Sequence, residues 1–299
     1  MFENHQWPWL GMAGGLLFMA LCGHGLAEEL VVSQSNRWAW SGHAGWLAVP
    51  TNETGVRAVI DASGSYLRGF AWSDGIGWIS FGCTNGGPYA NTDETDWGVN
   101  LGQDWNLTGR AWGANAGWIS FTNGPGSHIH QQRGAFDGYA WSDQIGWIRW
   151  GSANATALTY GVSFDLALAG FDVPEWWLRL NGFTNDLGEI FIDKPGLDWR
   201  AFYEGTDPAD PAARLAFAGI SVDGGAATLS FASATHRYYR LARTTNLVEA
   251  PVAWVPAAQL AGQGGVVSIV DETNAPLNFY RLEVGLDPGD PAVWPEPSE

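Results

Sequence analysis

The chain has a single lysine, Lys194, and only two cysteines, Cys22 and Cys83. Charged residues make up 15% of its 299 positions, and 31 acidic against 14 basic side chains leave a formal net charge of -17. So acidic a chain repels phosphate backbones, which argues against nucleic-acid binding. Long apolar runs are scarce. Beyond the N-terminal stretch at residues 10–21, nothing approaches the ~20 apolar residues of a membrane-spanning helix. Familiar catalytic signatures are also missing: the sequence has no Gly-x-Ser-x-Gly elbow, His-Glu-x-x-His pair or phosphate loop. A glycosidase carboxylate pair is defined by spatial separation, and the sequence gives it no positive support.

The apolar run at residues 10–21 is followed by Gly23-His24-Gly25-Leu26-Ala27 and then Glu28-Glu29. Its length and the small residues before Glu28 predict a secretory signal over residues 1–27, although residues 1–9 contain no Lys or Arg. The expectation is therefore a secreted or cell-envelope protein that meets a membrane only through this segment. Cleavage would leave Cys83 alone, without an intrachain disulfide, and predicts a small buried residue there.

What the chain does have is glycine (40) and tryptophan (19). Their abundance suits short strands joined by tight turns. An internal repeat organises them. Residues 69–81 recur as 109–121 and 138–150, and more loosely as 37–49; in every copy an Ala-Trp is followed by Gly-Trp, giving Trp40/Trp46, Trp72/Trp78, Trp112/Trp118 and Trp141/Trp147. With Ser73-Asp74-Gly75-Ile76-Gly77 as the turn, Trp72 faces Trp78, Ala71 faces Ile79 and Gly69 faces Phe81. The later copies repeat this as Ala111/Ile119 with Gly109/Phe121, and Ala140/Ile148 with Gly138/Trp150. A glycine opposite an aromatic suggests a ring lying across bare backbone. Asp74 and Asp143 read as turn formers, because Gly42 and Ala114 replace them in the other copies.

Between hairpins, Gly55-Val56, Gly98-Val99 and Gly161-Val162 open a further strand. The unit predicted is an antiparallel hairpin or meander of three strands, too small to stand alone and obliged to stack or close. Identical placement in each copy assigns the eight repeat tryptophans to the scaffold core. The less regular Trp97, Trp105 and Trp150 are the better candidates to face a ligand, since tryptophan on a sheet offers a platform for sugar rings. Asp93, Glu94 and Asp96 form an acidic loop that could hold calcium. His128 and His130 alternate onto one face as a candidate metal pair without a third ligand.

The repeat over about 36–165 resembles that of exported bacterial proteins whose unit reads Gly-Val, Leu-x-Gly-x-Ala-Trp-Ser, Ile-Gly-Trp-Ile-x-Phe. Val173-Pro174-Glu175-Trp176-Trp177 and Gly205-Thr206-Asp207-Pro208 resemble the ends of an exported-protein linker that encloses a thrombospondin-type-3-like calcium loop. Here the loop is degenerate, with Asp193 alone retained and Phe202 in place of the glutamate. Short helices are expected at 174–180 and 198–204. Six strands at 215–222, 227–232, 236–243, 252–260, 266–271 and 279–284 predict a small β-sandwich. Tyr238-Tyr239-Arg240-Leu241 and Asn278-Phe279-Tyr280-Arg281-Leu282 within it resemble fibronectin-like C-terminal modules. The resulting expectation is an all-β chain in five parts: signal (1–27), aromatic β-repeat domain (28–170), linker with helices (171–213), fibronectin-like sandwich (214–285) and unstructured tail (286–299). The function expected is a non-catalytic structural or interaction protein without a cofactor, unless calcium binds; its partner would be an extracellular glycan or envelope protein. A carbohydrate-binding module using surface tryptophans is the alternative, and a polysaccharide hydrolase the second alternative.

Overall fold

The computed structural model describes residues 27–122, 126–151, 160–248, 250–273 and 277–287. Residues 1–26 of the expected signal (1–27) and residues 288–299 of the expected unstructured tail (286–299) lie outside the described residues; the first two tail positions are ordered against the fold, with Leu286 buried and Asp287 paired to Arg133 at 2.8 Å. The chain is all-β, as the alternating pattern predicts, with two short α-helices between its parts.

The repeat region comprises β1 (Glu28–Ser41), β2 (Gly45–Ala48), β3 (Arg57–Ile60), β4 (Ser65–Arg68), β5 (Phe70–Ser73), β6 (Gly77–Ser80), β7 (Val99–Leu101), β8 (Leu107–Gly113), β9 (Gly117–Ser120), β10 (His128–Ile129), β11 (Phe136–Ser142), β12 (Gly146–Gly151) and β13 (Val162–Phe164). Each Gly-Trp glycine closes its turn at positive φ: Gly45 at 73°, Gly77 at 77°, Gly117 at 63° and Gly146 at 71°. The four hairpins have the anticipated register, Trp40↔Trp46, Trp72↔Trp78, Trp112↔Trp118 and Trp141↔Trp147. Neighbouring hairpins then pair with one another through Ala48↔Trp72, Ser80↔Trp112, Ser120↔Trp141 and Arg149↔Trp40. That closes an antiparallel eight-stranded barrel, β1-β2-β5-β6-β8-β9-β11-β12. Strands β3, β4, β7, β10 and β13 form a second tier beneath it, tied in by the bridges Asn106↔His128 and Ala135↔Ser163. Closure removes the exposed edges that an open sheet of hairpins would present.

The barrel interior is a layer of Ala39, Ala71, Ala111 and Ala140 with Leu47, Ile79, Ile119 and Ile148, all fully buried. Val49, Phe81, Phe121 and Trp150 fill the next layer. Alternating small and large residues suit the narrow lumen of eight strands. Four indole pairs would not fit, so the paired tryptophans lie on the outer wall. This corrects the expectation that they build the core.

A second correction concerns Gly69 and Gly109. Gly69 has φ +94°, and a Cβ there would come 2.1 Å from the Gly55 carbonyl oxygen; Gly109 has φ +84°, with Gly98 O at 2.2 Å. Backbone crowding by the neighbouring strand, rather than an overlying ring, demands glycine. In the last copy a register shift pairs Gly138 with Gly151, so Gly138 and Trp150 are not partners.

At the barrel mouth, hydrogen bonds join the turns in one rotational sense. Ser73 Oγ donates to Ala44 O (2.9 Å), Ser41 Oγ to Ile145 O (3.2 Å) and Ser142 Oγ to Ala116 O (2.6 Å). The third hairpin has Gly113 in place of serine, and Asn115 Nδ2 completes the circuit to Ile76 O at 3.2 Å.

The helices are α1 (Glu175–Leu180) and α2 (Ala201–Glu204), inside the two spans expected. The C-terminal strands are β14 (Phe217–Asp223), β15 (Ala226–Ser233), β16 (Tyr238–Thr244), β17 (Val255–Ala261), β18 (Gly265–Asp271) and β19 (Phe279–Gly285). They form two three-stranded sheets, β14-β15-β18 and β17-β16-β19, enclosing Leu229, Phe231, Tyr239, Leu241, Ile269 and Val284. Arg237 fastens this sandwich to the rest. Its buried guanidinium donates to Tyr203 O (2.7 Å) and Phe202 O (2.8 Å) in α2, and to Gln131 Oε1 (2.8 Å) in the turn after β10 of the second tier. Burial pulls its pKa down to about 10.

Candidate functional site: the tryptophan wall of the barrel

Because side chains alternate along a strand, an interior of Ala and Ile obliges the intervening Trp residues to point outward. Trp46, Trp78 and Trp147 are 49%, 51% and 45% exposed. Among the described residues, nearly all the exposed large apolar side chains of the upper tier are aromatic: Trp38, Trp40, Trp46, Phe70, Trp72, Trp78, Trp112 and Trp147. A packed interior already supplies the fold with its apolar burial, so the fold does not account for this surface.

The rings are arranged as corners. Trp72 and Trp78 have centroids 4.9 Å apart at 63°, and Phe70 meets Trp78 at 6.1 Å and 78°. Trp141 and Trp147 lie at 4.6 Å and 63°, with Tyr139 at 6.1 Å and 76° from Trp147. The first hairpin is similar, with Trp40 4.9 Å and Trp38 6.3 Å from Trp46, and Tyr160 adds a further edge contact at 5.0 Å. The third differs. Arg110 replaces the flanking aromatic and stacks over Trp118 at 4.2 Å, while Trp97 packs against the same ring at 5.2 Å.

Two hairpins lock their first tryptophan. Trp72 Nε1 donates to Asp74 Oδ1 at 3.0 Å, and Trp141 Nε1 donates to Asp143 Oδ1 at 2.9 Å. Asp74 and Asp143 therefore orient an indole as well as forming a turn. Gly42 and Ala114 cannot do this in hairpins one and three.

The tryptophans singled out by sequence behave otherwise. Trp105 and Trp150 are 3% and 1% exposed and belong to the core, which corrects their reading as ligand-facing. Trp105 packs on Trp176 at 4.5 Å, and Trp150 sits among Phe81, Phe121 and Phe136. Trp97 is half-buried and supports Trp118. Trp105 fills the lower tier, whereas Trp150 stands in β12 at the position that Phe81 and Phe121 hold in the other copies and fills the barrel's second layer.

The acidic loop is a local turn. Asp93 Oδ1 accepts from Thr95 N (2.7 Å), Thr95 Oγ1 (2.7 Å) and Asp96 N (3.1 Å), and these hydrogen bonds hold its pKa below the usual value. Asp96 accepts from Ala90 N at 3.3 Å, and Glu94 is exposed. Among the described residues no three His, Cys, Asp or Glu side chains gather as a metal cluster. In the linker, Lys194 Nζ donates to Gly182 O (2.7 Å) and Thr184 O (2.8 Å), so an ammonium of the chain itself already occupies those carbonyls. Cys83 is half-buried rather than buried.

His128 and His130 sit at the joint between barrel and sandwich. His128 stacks on His236 at 4.6 Å, and His236 Nε2 bonds Asn106 Oδ1 at 2.9 Å. His130 is buried, with Nδ1 accepting from Gln132 N (3.3 Å) and Arg133 N (3.2 Å) and Nε2 lying 3.6 Å from Asp287. A cleft of about 810 Å³ opens near α1, lined by Asp61, Ser63, Asn100, Gln103, Trp177 and Asn181 among others, without a histidine, cysteine, lysine or glutamate. Its Asp61 carboxylate accepts from Ser63 N (2.8 Å) and Ser63 Oγ (2.5 Å) in a tight turn.

No family model matches this chain, and no curated protein or solved structure shows significant similarity to it.

Proposed function

We propose that this is a non-catalytic, exported binding protein whose barrel carries carbohydrate on its outer tryptophan wall. One observation carries the reading: six of the eight paired tryptophans are exposed, and Trp118 and Trp141 half-buried, on a barrel whose core is complete without them. Aromatic faces contact the C–H faces of sugar rings, and indole N–H groups and neighbouring carboxylates supply hydrogen bonds to hydroxyls. Nearly all the exposed large apolar side chains of the upper tier are aromatic.

Charge and ring geometry narrow the ligand. A net charge of -17 disfavours anionic polymers. Rings at 63–78° form corners that grip a single chain from two sides, whereas a crystalline surface needs coplanar rings. The ligand class is therefore a neutral glycan chain free in solution or loosely packed in a matrix. The sandwich, which resembles fibronectin-like modules, serves as a structural or display unit, and the N-terminal segment directs export to the cell surface or beyond.

Electrophoresis through native gels containing dissolved galactomannan, xyloglucan or mixed-linkage β-glucan tests this. Retardation of the wild type by at least one polymer, abolished in Trp78→Ala/Trp147→Ala, supports the reading. Unchanged mobility in all of them refutes it.

A further inference from the structure

The four hairpins are not equal, and their differences pair them across the barrel. Hairpins two (β5/β6) and four (β11/β12) share the aspartate lock, a flanking Phe or Tyr, and the same ring corner, 63° between paired indoles, and differ in that Arg149 stands over Tyr139 at 5.6 Å where hairpin two has Ser80. They also share a large residue, Ile76 and Ile145, plugging the barrel mouth, where hairpins one and three carry Ala44 and Ala116. In hairpin three, Arg110 and Trp97 already occupy Trp118. In hairpin one, Trp46 contacts three other rings and Trp40 has no aspartate to orient it.

The order of strands around the ring then fixes direction. Hairpins two and four are separated by hairpin three on one side and hairpin one on the other. They occupy opposite walls, and outward side chains on opposite walls of a closed barrel diverge. One glycan chain lying on one wall cannot reach the other without wrapping halfway around.

We infer that the barrel is a divalent cross-linker of neutral glycan chains, with principal sites at Trp72/Trp78 and Trp141/Trp147 on opposite walls. This rests on the carbohydrate reading above and adds its valency and geometry. Each site takes a short stretch of one chain, so a polymer with many such stretches is gathered into a network. The aspartate locks orient the first indole of each site before the ligand arrives, which reduces the ordering cost of binding. Asp74 and Asp143 also discourage acidic polymers at the two sites.

Light scattering of the full chain mixed with soluble galactomannan, xyloglucan or mixed-linkage β-glucan, alongside calorimetry with oligosaccharides of the same linkages, separates the two levels of the argument. The expected result is two oligosaccharides bound per chain, with polymer scattering rising at least severalfold and reversed by excess oligosaccharide. Trp78→Ala and Trp147→Ala, each at an exposed position, should each retain one site and lose network formation. Binding of one oligosaccharide per chain with unchanged polymer scattering overturns the cross-linking inference and leaves carbohydrate binding standing. Network formation that survives in both single variants overturns the assignment to these two hairpins. Absence of binding to every probe overturns both levels.

Discussion

Trp141 Nε1 donates to Asp143 Oδ1 at 2.9 Å, and the same contact recurs at 3.0 Å between Trp72 and Asp74. One aspartate thus shapes a turn and fixes an indole of the outer wall two residues before it. Hydrogen bonds of this kind contribute about 0.5–1.5 kcal/mol net. Asp143→Ala should lower glycan affinity at its site by roughly 2–10-fold, the same free energy read as binding. The converse is available at Gly42, where an added Cβ meets nothing within 4 Å. Gly42→Asp should lock Trp40 and raise the urea midpoint slightly; calorimetric titration and urea unfolding read the two effects.

Gly69 tests the account of barrel closure. With φ +94° and the Gly55 carbonyl 2.1 Å from a prospective Cβ, Gly69→Ala has to displace the neighbouring strand. The expected loss is more than about 2 kcal/mol in urea unfolding. Gly109→Ala should behave alike, whereas Gly42→Ala should change stability by less than about 0.5 kcal/mol. Equal effects at Gly69 and Gly42 would contradict the close-approach explanation.

Arg237 joins three parts of the chain through Gln131, two carbonyls of α2, and the sandwich from which it projects. Arg237→Met leaves these acceptors buried without a donor, at a cost of roughly 1–3 kcal/mol each in the worst case. Unfolding should then separate into two transitions, the sandwich melting independently of the barrel. Limited proteolysis should cut first between residues 205 and 215.

Acid should loosen the same joint. Burial, with Arg133 adding to it, lowers the His130 pKa from 6.5 to about 4, partly opposed by Asp287. Burial and nearby His128 also lower His236, against Asp104. The folded state favours neutral imidazoles, so their stabilisation is complete above pH 6.5 and is lost as pH falls towards 4. Melting temperature should decline across this window. His130→Asn, which keeps an acceptor for Gln132 and Arg133 amides, should flatten the decline; an unchanged profile would contradict the assignment.

The hairpin register was legible because period-two alternation and the Gly-Trp turn specify it locally. Six sandwich strands were legible from short apolar runs separated by turn residues, and both linker helices from the resemblance of their flanking motifs to an exported-protein linker. Which face of the hairpin is inside was not. Ala-Ile and Trp-Trp faces are both apolar, and only ring closure decides between them by limiting the interior volume. Closure depends on contacts such as Ser41 to Ile145, 104 residues apart, and Ser142 to Ala116, 26 apart. Repetition therefore misled: it marked the tryptophans as core, while irregular Trp105 and Trp150 proved to be the buried ones. The aspartate lock could have been found from the Trp-x-Asp spacing of copies two and four. The His128–His236 stack left no local sequence signal.

Isothermal titration of wild type and Trp78→Ala/Trp147→Ala with soluble galactomannan, xyloglucan and mixed-linkage β-glucan oligosaccharides tests the central claim most directly. The account predicts saturable heat for the wild type with at least one linkage and its loss in the variant, with far-ultraviolet circular dichroism unchanged. A wild type that binds none of them, or a variant that binds as tightly as the wild type, would contradict the tryptophan wall as a carbohydrate site.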